Sequence, residues 1–250
     1  VELLKKARYD VVSKGKRIDV TYPAYRQDIM HQRDIAEDIL ISYGYNKIEP
    51  EMLRLATIGG NDQREVLTNK VAKVMVGLGL QEIISYILTS NANIFRKMNL
   101  KDEPVVEIEN SVSENWSVFR TSILPNLMEF LSANQHVEYP QRIFEIGDVV
   151  VPDEKLETKT RDVRNLAVVI ADSRVTYEEI SSLLDAFLSA FGIKYVLRKT
   201  SHPSFIEGRV AQVIADNKAV GIVGEINPLV LKSWQMEMPV AAFEIALENF

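Results

Sequence analysis

Cysteine is absent from the sequence of 250 residues, which excludes disulfide bonds and thiolate metal sites. Histidine occurs only as His31, His136 and His202, and no two of these residues have the helical spacing of a zinc-binding pair. A phosphate-binding loop, a dinucleotide-binding fingerprint and a Gly-x-Ser-x-Gly nucleophile turn are also missing. No apolar run approaches the roughly 18 residues of a membrane span. The sequence therefore fits a cytoplasmic protein without membrane contact, and its own residues predict no common reaction centre.

Charge is distributed unevenly along the chain. The net charge is −6, but the first 17 residues carry six Lys or Arg against Glu2 and Asp10, a local charge of +4 that leaves −10 for the rest. An acidic body disfavours broad binding to phosphates, and the basic head is interpreted as a solvated helix end and turn. Because the chain opens on Val1 within a helix-like segment, we expect it to be a piece of a longer protein.

Strand and helix patterns predict an α+β fold, in which a mostly antiparallel sheet has its helices laid on one side. A break at residues 56–62, which contains Gly59 and Gly60, is the predicted domain boundary. The sequence thus predicts a small domain over residues 1–55 and a larger domain over residues 56–250.

Several elements can be predicted from local signals. In the small domain we expect a strand at RIDVTYP, followed by a helix that begins at the cap Asp28 and ends at Gly44. In the larger domain the patterns predict a helix over residues 64–78 and a hairpin around Asp216-Asn217. A second helix is predicted to begin at the capping box Thr176-x-x-Glu179 and to carry an apolar stripe that ends at Phe191. Strands are predicted at QEIISYILTS, VVEIEN, RIFEIGDVVVP, RNLAVVIAD and PVAAFEIAL.

The segment YRQDIMHQRDIAEDIL crowds four carboxylates into eleven residues: Asp28, Asp34, Glu37 and Asp38. At about 100° per residue, the last three share one side of the predicted helix. The opposite side is apolar and is the predicted core face, formed by Ile35, Ala36, Ile39, Leu40 and Tyr43. One interpretation is a solvated acidic face, steadied by Arg33 four residues before Glu37. The other is half of a site for a hard cation such as Mg²⁺, completed by another chain, because such cations prefer carboxylate oxygens. The residues alone leave both interpretations open.

A longer stretch, YPAYRQDIMHQRDIAEDILISYGYNKIEP, resembles the small domain before the catalytic-like module of phenylalanyl-tRNA synthetase β subunits. The segments SVFRTSILPNLMEFLSANQ, RIFEIGDVV, EGRVAQVIADNKAVGIVGEINPLVL and MPVAAFEIALENF resemble that module, in the same order. The resemblance implies a winged-helix-like small domain, then a class II synthetase-like antiparallel sheet flanked by helices. The chain looks like the archaeal or eukaryotic type, because the resemblance to the module runs to the end of the sequence.

The resemblance also implies a cofactor and partners. In that family the β subunit shares a magnesium site with the α subunit, and the matching positions are Asp28, Asp34, Glu37 and Asp38. Asp38 stands where the family commonly has Glu, one methylene longer. The expected assembly is an α2β2 heterotetramer that attaches phenylalanine to tRNA with ATP. The family's editing domain would lie upstream of Val1.

Catalysis is expected to reside on the α subunit. An active class II site holds ATP with arginines, but GDVVVP has Val149–Val151 where the first is expected, and PVAAFEIALENF lacks the second. ATP is therefore expected to be used by the complex and not bound by this chain. The helix over residues 64–78 matches the dimer-forming helix of class II synthetases, which implies an interface formed by Leu67, Val71, Val74, Met75 and Leu78.

Two other functions stay open at this point. One is a nucleic-acid-binding module, because winged-helix domains commonly bind DNA and the head of the chain is basic. The acidic helix disfavours it, since carboxylates repel phosphates. The other is an independent class II-like ligase, which the missing arginines disfavour.

Overall fold

The structure is a computed structural model that describes residues 1–54 and 56–249, with the backbone alone at residue 249. The chain divides into two compact units, a small unit over residues 1–60 and a large unit over residues 61–250. None of the helices in the described ranges combines the length and the hydropathy of a membrane span.

The small unit pairs two helices with a β-hairpin. Helix α1 spans Glu2–Lys6, strands β1 and β2 span Asp10–Lys14 and Arg17–Thr21, and helix α2 spans Gln32–Tyr43, before a 3-10 turn at Tyr45–Lys47. Strand β2 and the end of α2 before Gly44 confirm the predictions, but β1 was not predicted. The two strands are antiparallel, and Gly15 between them has a φ of 63°, which favours glycine. Leu4, Tyr9 and Ile29 form the core of this unit, with Ile35 and Ile39 of α2 packed against it.

The large unit is built on one seven-stranded sheet. Its strands are β3 (Gln81–Glu82), β6 (Gln141–Pro152), β7 (Thr160–Ala171), β8 (Tyr195–Lys199), β9 (Phe205–Ala215), β10 (Lys218–Ile226) and β11 (Val240–Ala246). The order in space is β3-β6-β7-β11-β10-β9-β8, and every pairing is antiparallel except β3 with β6. The predicted α+β class and mostly antiparallel sheet are confirmed. A separate short pair joins β4 (Leu88–Thr89) to β5 (Val118–Phe119).

Helices cover both faces of this sheet, which corrects the prediction that they lie on one side. Helices α3 (Gln63–Gly77) and α5 (Tyr177–Ala190) pack in one core with Phe144 and Phe243. Helices α4 (Leu124–Ala133) and α6 (Pro228–Ser233) pack in a second core with Ile143 and Ala242. Side chains alternate between the faces along a strand, so neighbouring residues on β6 and β11 enter different cores.

Elements with strong local sequence signals were predicted correctly. The apolar stripe of α5 lies in the core, and Thr176 caps its start by accepting a hydrogen bond from Glu179 N. Asp216 and Asn217 form the tight turn between β9 and β10, each with a positive φ (47° and 62°), as a two-residue hairpin requires.

Strands with weaker sequence signals were predicted less well. The segment VVEIEN forms only an isolated bridge from Glu107 to Val118, so that strand prediction is wrong. The segment QEIISYILTS is not one strand but contributes the two short strands β3 and β4. Residues 83–87, between these two strands, belong to neither of them. Within this stretch the Ser85 hydroxyl donates a hydrogen bond to the Glu145 side chain (2.6 Å).

Candidate functional site

The acidic segment begins with a helix cap that differs from the prediction. His31, not Asp28, is the N-cap of α2, and its Nδ1 accepts a hydrogen bond from Arg33 N at 3.2 Å. Asp34 completes the capping box, because its Oδ2 accepts hydrogen bonds from His31 N (2.7 Å) and Met30 N (2.8 Å). These two backbone donors lower the pKa of Asp34. The Asp34 carboxylate therefore stabilises the start of α2.

Arg26 binds two of the other carboxylates at once. Its guanidinium donates to Asp28 (Nη2–Oδ2 2.7 Å) and to Asp38 (Nη1–Oδ2 2.8 Å). The hydroxyl of Tyr9 also donates to Asp38. The pKa of Asp28 is lowered chiefly by Arg26, and that of Asp38 by Arg26 and then Tyr9. Burial, followed by the bond to Asp38, raises the pKa of Tyr9 to about 12.

Asp38 thus faces the interior of the small unit, so it does not share with Glu37 the solvated acidic face that was one of the two interpretations. Its side chain is largely covered, whereas Glu37 is exposed and makes no hydrogen bond or ion pair with the residues that the structure describes. Leu40 and Tyr43, predicted on the core side, are exposed. Ile35 and Ile39 do pack against the core as predicted, and Asp38 accepts hydrogen bonds from Tyr9 and Arg26, which lie elsewhere in the chain.

As arranged, these four carboxylates do not fit a magnesium site. Within residues 1–54 and 56–249, no group of three or more His, Asp or Glu side chains is placed to hold a metal ion. Two of the carboxylates already share the positive charge of Arg26, and Asp34 uses its oxygens on backbone donors. A bound cation would have to displace Arg26 or compete with its charge.

The apolar stripe of α3 faces the core of its own unit. Val71 and Met75 are fully buried, with 0% exposure, so no partner can contact them while this core is intact. This corrects their prediction as interface residues. Leu67, Val74 and Leu78 are half-buried and pack against the same core. The width of the stripe reflects contacts with the sheet and α5, and Val76 is the apolar residue of this helix that is mostly exposed.

An exposed aromatic patch lies beside the edge strand β3 and was not predicted. Ile84, Tyr86 and Trp116, which we call the edge patch, are 90%, 73% and 51% exposed. The rings of Tyr86 and Trp116 lie 5.4 Å apart, centroid to centroid. The alternation Ile83, Ser85 inward and Ile84, Tyr86 outward is the sequence signal that could have revealed it. Large exposed aromatic side chains at a sheet edge are typical of a surface that binds another protein.

Arg120 and Arg164 are both bound to carboxylates. Arg120 is almost fully buried; its Nη1 lies 2.7 Å from Glu145 Oε1 and 2.9 Å from Ser85 Oγ, and its Nε donates to Asp148 O. Arg164 on β7 donates to Asp148 with distances of 2.7 and 3.1 Å. Val149 and Val150, near the position where a catalytic arginine is expected, are buried. Neither arginine has a guanidinium free to hold a phosphate.

Comparisons with known proteins agree with this architecture. Residues 1–45 match the tRNA synthetase B5 domain, and residues 48–247 match the phenylalanyl tRNA synthetase beta chain CLM domain. The boundary between these matches falls near that between the two units.

Curated relatives match the chain over nearly all its length. The phenylalanine–tRNA ligase beta subunit of Thermococcus sibiricus is 49% identical over 249 residues, covering 100% of this chain and 44% of the relative. The beta subunits of Pyrococcus abyssi and Korarchaeum cryptofilum are 48% and 43% identical over 246 residues, each covering 98% of this chain and 44% of the relative. The chain thus spans less than half the length of these relatives. With most of its residues matched by the CLM domain, the chain belongs to the phenylalanyl-tRNA synthetase β-chain family.

Proposed function

We propose that this chain is the non-catalytic β-subunit portion of a phenylalanine–tRNA ligase and supports a catalytic α subunit through a protein interface. The edge patch is the observation that carries this proposal, because it presents two aromatic rings and an isoleucine to solvent beside an open sheet edge. Burying such residues against a partner removes apolar area from water, and Trp and Tyr are enriched among the residues that dominate binding energy.

The state of the arginines supports a scaffolding role over catalysis. Phosphoryl chemistry needs positive groups free to offset developing charge. Arg120 forms a buried ion pair with Glu145, and Arg164 holds Asp148, so each guanidinium already has a carboxylate partner. Adenylation is assigned to the α subunit in this proposal, and ATP, tRNA and the α2β2 stoichiometry belong to the complex.

The interface is proposed to differ in position from the one that the sequence indicated. Val71 and Met75 contribute to the fold, and the partner would contact the edge patch instead, with Val76 on the exposed side of α3 as a further candidate. Magnesium shared between subunits stays a prediction, as does a cytoplasmic location. The arrangement around Arg26 supports neither a complete nor a half site without rearrangement of that ion pair.

Co-purification with the α subunit of the same organism tests the interface. Tyr86→Ala with Trp116→Ala should weaken association at least about tenfold, since removing two such anchors costs more than the ~1.4 kcal/mol that a tenfold change represents. Val196→Ala and Leu229→Ala are matched controls, because both side chains are exposed and apolar but lie outside the edge patch. Both sets should retain the wild-type circular dichroism spectrum. If the double variant and the controls associate equally well with the α subunit, the α subunit does not bind at the edge patch.

A further inference from the structure

Strand β8 forms the edge of the seven-stranded sheet opposite to β3. In the order β3-β6-β7-β11-β10-β9-β8 it pairs with β9 alone, so its other side is open within the described residues. Because five strands separate β8 from β3, the two edges lie roughly 30 Å apart at the usual spacing between strands. Strand β8 is therefore a surface separate from the edge patch, which lies beside β3.

The open side of β8 presents unused backbone hydrogen-bonding groups. In an antiparallel strand, alternate residues direct their N–H and C=O groups to opposite sides, so part of this five-residue strand points away from β9. Beyond the ladder with β9, no backbone group of residues 194–199 bonds to another part of the chain that the structure describes. An edge of this kind accepts one more strand, which is how several domains bind extended peptides.

The side chains of β8 leave the strand uncovered. Tyr195 is half-buried on the side of α5, where its hydroxyl donates a hydrogen bond to Asp185 Oδ1 at 3.0 Å. Every later residue of the strand is exposed, and Val196 and Leu197 are 62% and 38% exposed. Exposed apolar side chains on an edge strand pack against the side chains of an added strand, one on each face.

The charges in β8 and directly before it are all positive. Lys194, Arg198 and Lys199 are exposed, and none of them forms an ion pair or a side-chain hydrogen bond among the residues that the structure describes. On β9, Gln212 faces Arg198 and Ala211 faces Lys199, so the neighbouring strand supplies no carboxylate there. Three uncompensated cations on one edge, in a chain whose net charge is −6, attract a negatively charged partner.

These features distinguish between occupants. A second copy of the chain that paired through β8 would bring six cations together without a carboxylate on either strand, which is the repulsion that charged edge strands use against self-association. A nucleic acid would satisfy the cations, but its phosphates would leave the carbonyl groups of the edge without donors and Val196 and Leu197 uncovered. An acidic peptide in an extended conformation matches the backbone, the apolar side chains and the charge.

We propose that β8 binds an extended acidic segment of a partner protein, which adds a strand to this edge of the sheet. Because side chains alternate between faces, Lys194, Val196 and Arg198 follow one another on the same face. A segment with an apolar residue between two acidic ones, each two positions apart, places a carboxylate opposite each cation. The proposal does not rest on the proposed function, since β8 shares no residue with the edge patch.

Fluorescence anisotropy with the full chain tests the backbone pairing and the charge separately. The probe is a fluorescein-labelled peptide of sequence TETVTET with blocked ends. One control peptide, TKTVTKT, reverses the charge, and a second control is the acidic peptide with N-methyl groups on its internal amides, which removes the backbone donors. Both controls should bind at least about tenfold more weakly than the acidic peptide.

Charge reversal in the chain provides the complementary test. Lys194→Glu with Arg198→Glu should weaken binding of the acidic peptide at least about tenfold and strengthen binding of TKTVTKT. Lys70→Glu with Lys73→Glu is the matched control, because it makes the same charge change at exposed positions of α3 and should leave both affinities unchanged. All four positions are exposed, so both variants should retain the wild-type circular dichroism spectrum.

Hydrogen–deuterium exchange of the wild-type chain locates the bound peptide without a variant. The amides of residues 195–199 should exchange more slowly when the acidic peptide is bound, and this protection would support strand addition. Protection confined to other segments, or equal affinity for the acidic peptide and either control peptide, would overturn the proposal. So would a poly-uridine RNA that binds in a manner sensitive to Lys194→Glu with Arg198→Glu while the acidic peptide does not bind at all.

Discussion

Replacing Glu145 by Gln should destabilise the large unit strongly while barely changing its shape. Arg120 and Glu145 are 3% and 2% exposed, and their closest atoms are 2.7 Å apart. The substitution leaves a buried guanidinium without its counter-charge, which in comparable pairs costs about 3–5 kcal/mol. We expect the lower end, about 3 kcal/mol, because Gln still offers Arg120 an acceptor oxygen. With a urea m value of about 2 kcal/mol/M, the unfolding midpoint should fall by about 1.5 M.

Tryptophan fluorescence during urea unfolding measures this change selectively, since both tryptophans, Trp116 and Trp234, lie in the large unit. Glu248→Gln is the matched control: it removes the partner of Arg161 in an ion pair of 3.0 Å that is open to solvent, and should cost under about 0.5 kcal/mol. Replacing both buried partners by Met should restore much of the stability, because no unpaired charge remains. A loss below about 1 kcal/mol for Glu145→Gln, or a loss equal to that of the control, would refute this account of the buried pair.

Three further predictions follow from the packing and the charges. Met75→Ala should lower the free energy of unfolding in urea by about 2–5 kcal/mol, because it opens a cavity in the core. If the variant instead unfolds like the wild type and only associates more weakly with the α subunit, Met75 is an interface residue. Gly221→Ala should cost about 1–3 kcal/mol, because a Cβ there would lie 2.2 Å from the carbonyl oxygen of Glu244 on β11; an unchanged urea midpoint would contradict this. The lowered pKa values of Asp28 and Asp38 mean that their contribution to stability is present above about pH 4 and is lost as pH falls through their folded-state values. Arg26→Met should therefore weaken this acid dependence of the small unit, measured by circular dichroism between pH 2 and 6, and an identical acid transition would contradict the role of Arg26.

The sequence predicted best those features that are set by neighbouring residues. The stripe of α5 and the Asp216-Asn217 turn depend on helical periodicity and on backbone conformations that few residues adopt, and both are confirmed. Strand β1 was missed because its residues, Asp10–Lys14, are mostly exposed and show no apolar alternation. The strand is held by pairing with β2, which a local pattern does not display.

The candidate sites depended on contacts between distant residues, which explains the errors there. Asp38 lies on the outer side by helical periodicity, but Tyr9, 29 residues earlier, and Arg26 bind it from the interior. An apolar stripe on α3 has the same pattern whether it packs on its own sheet or on a partner, so Val71 and Met75 could not be assigned from the sequence. Ile84 and Tyr86 of the edge patch lie in a segment predicted as one strand, and Trp116 joins them from a distant turn.

Phenylalanine-dependent exchange between ATP and pyrophosphate tests most directly whether this chain supports catalysis without performing it. The purified chain should show no exchange above background, because Arg120 and Arg164 are held by carboxylates, and Val149 and Val150 are buried near the position where an ATP-binding arginine is expected. Adding the α subunit of the same organism should produce exchange, and the edge-patch variant should require a higher chain concentration to reach it. Steady exchange by the chain alone, in a preparation free of α subunit, would contradict the account.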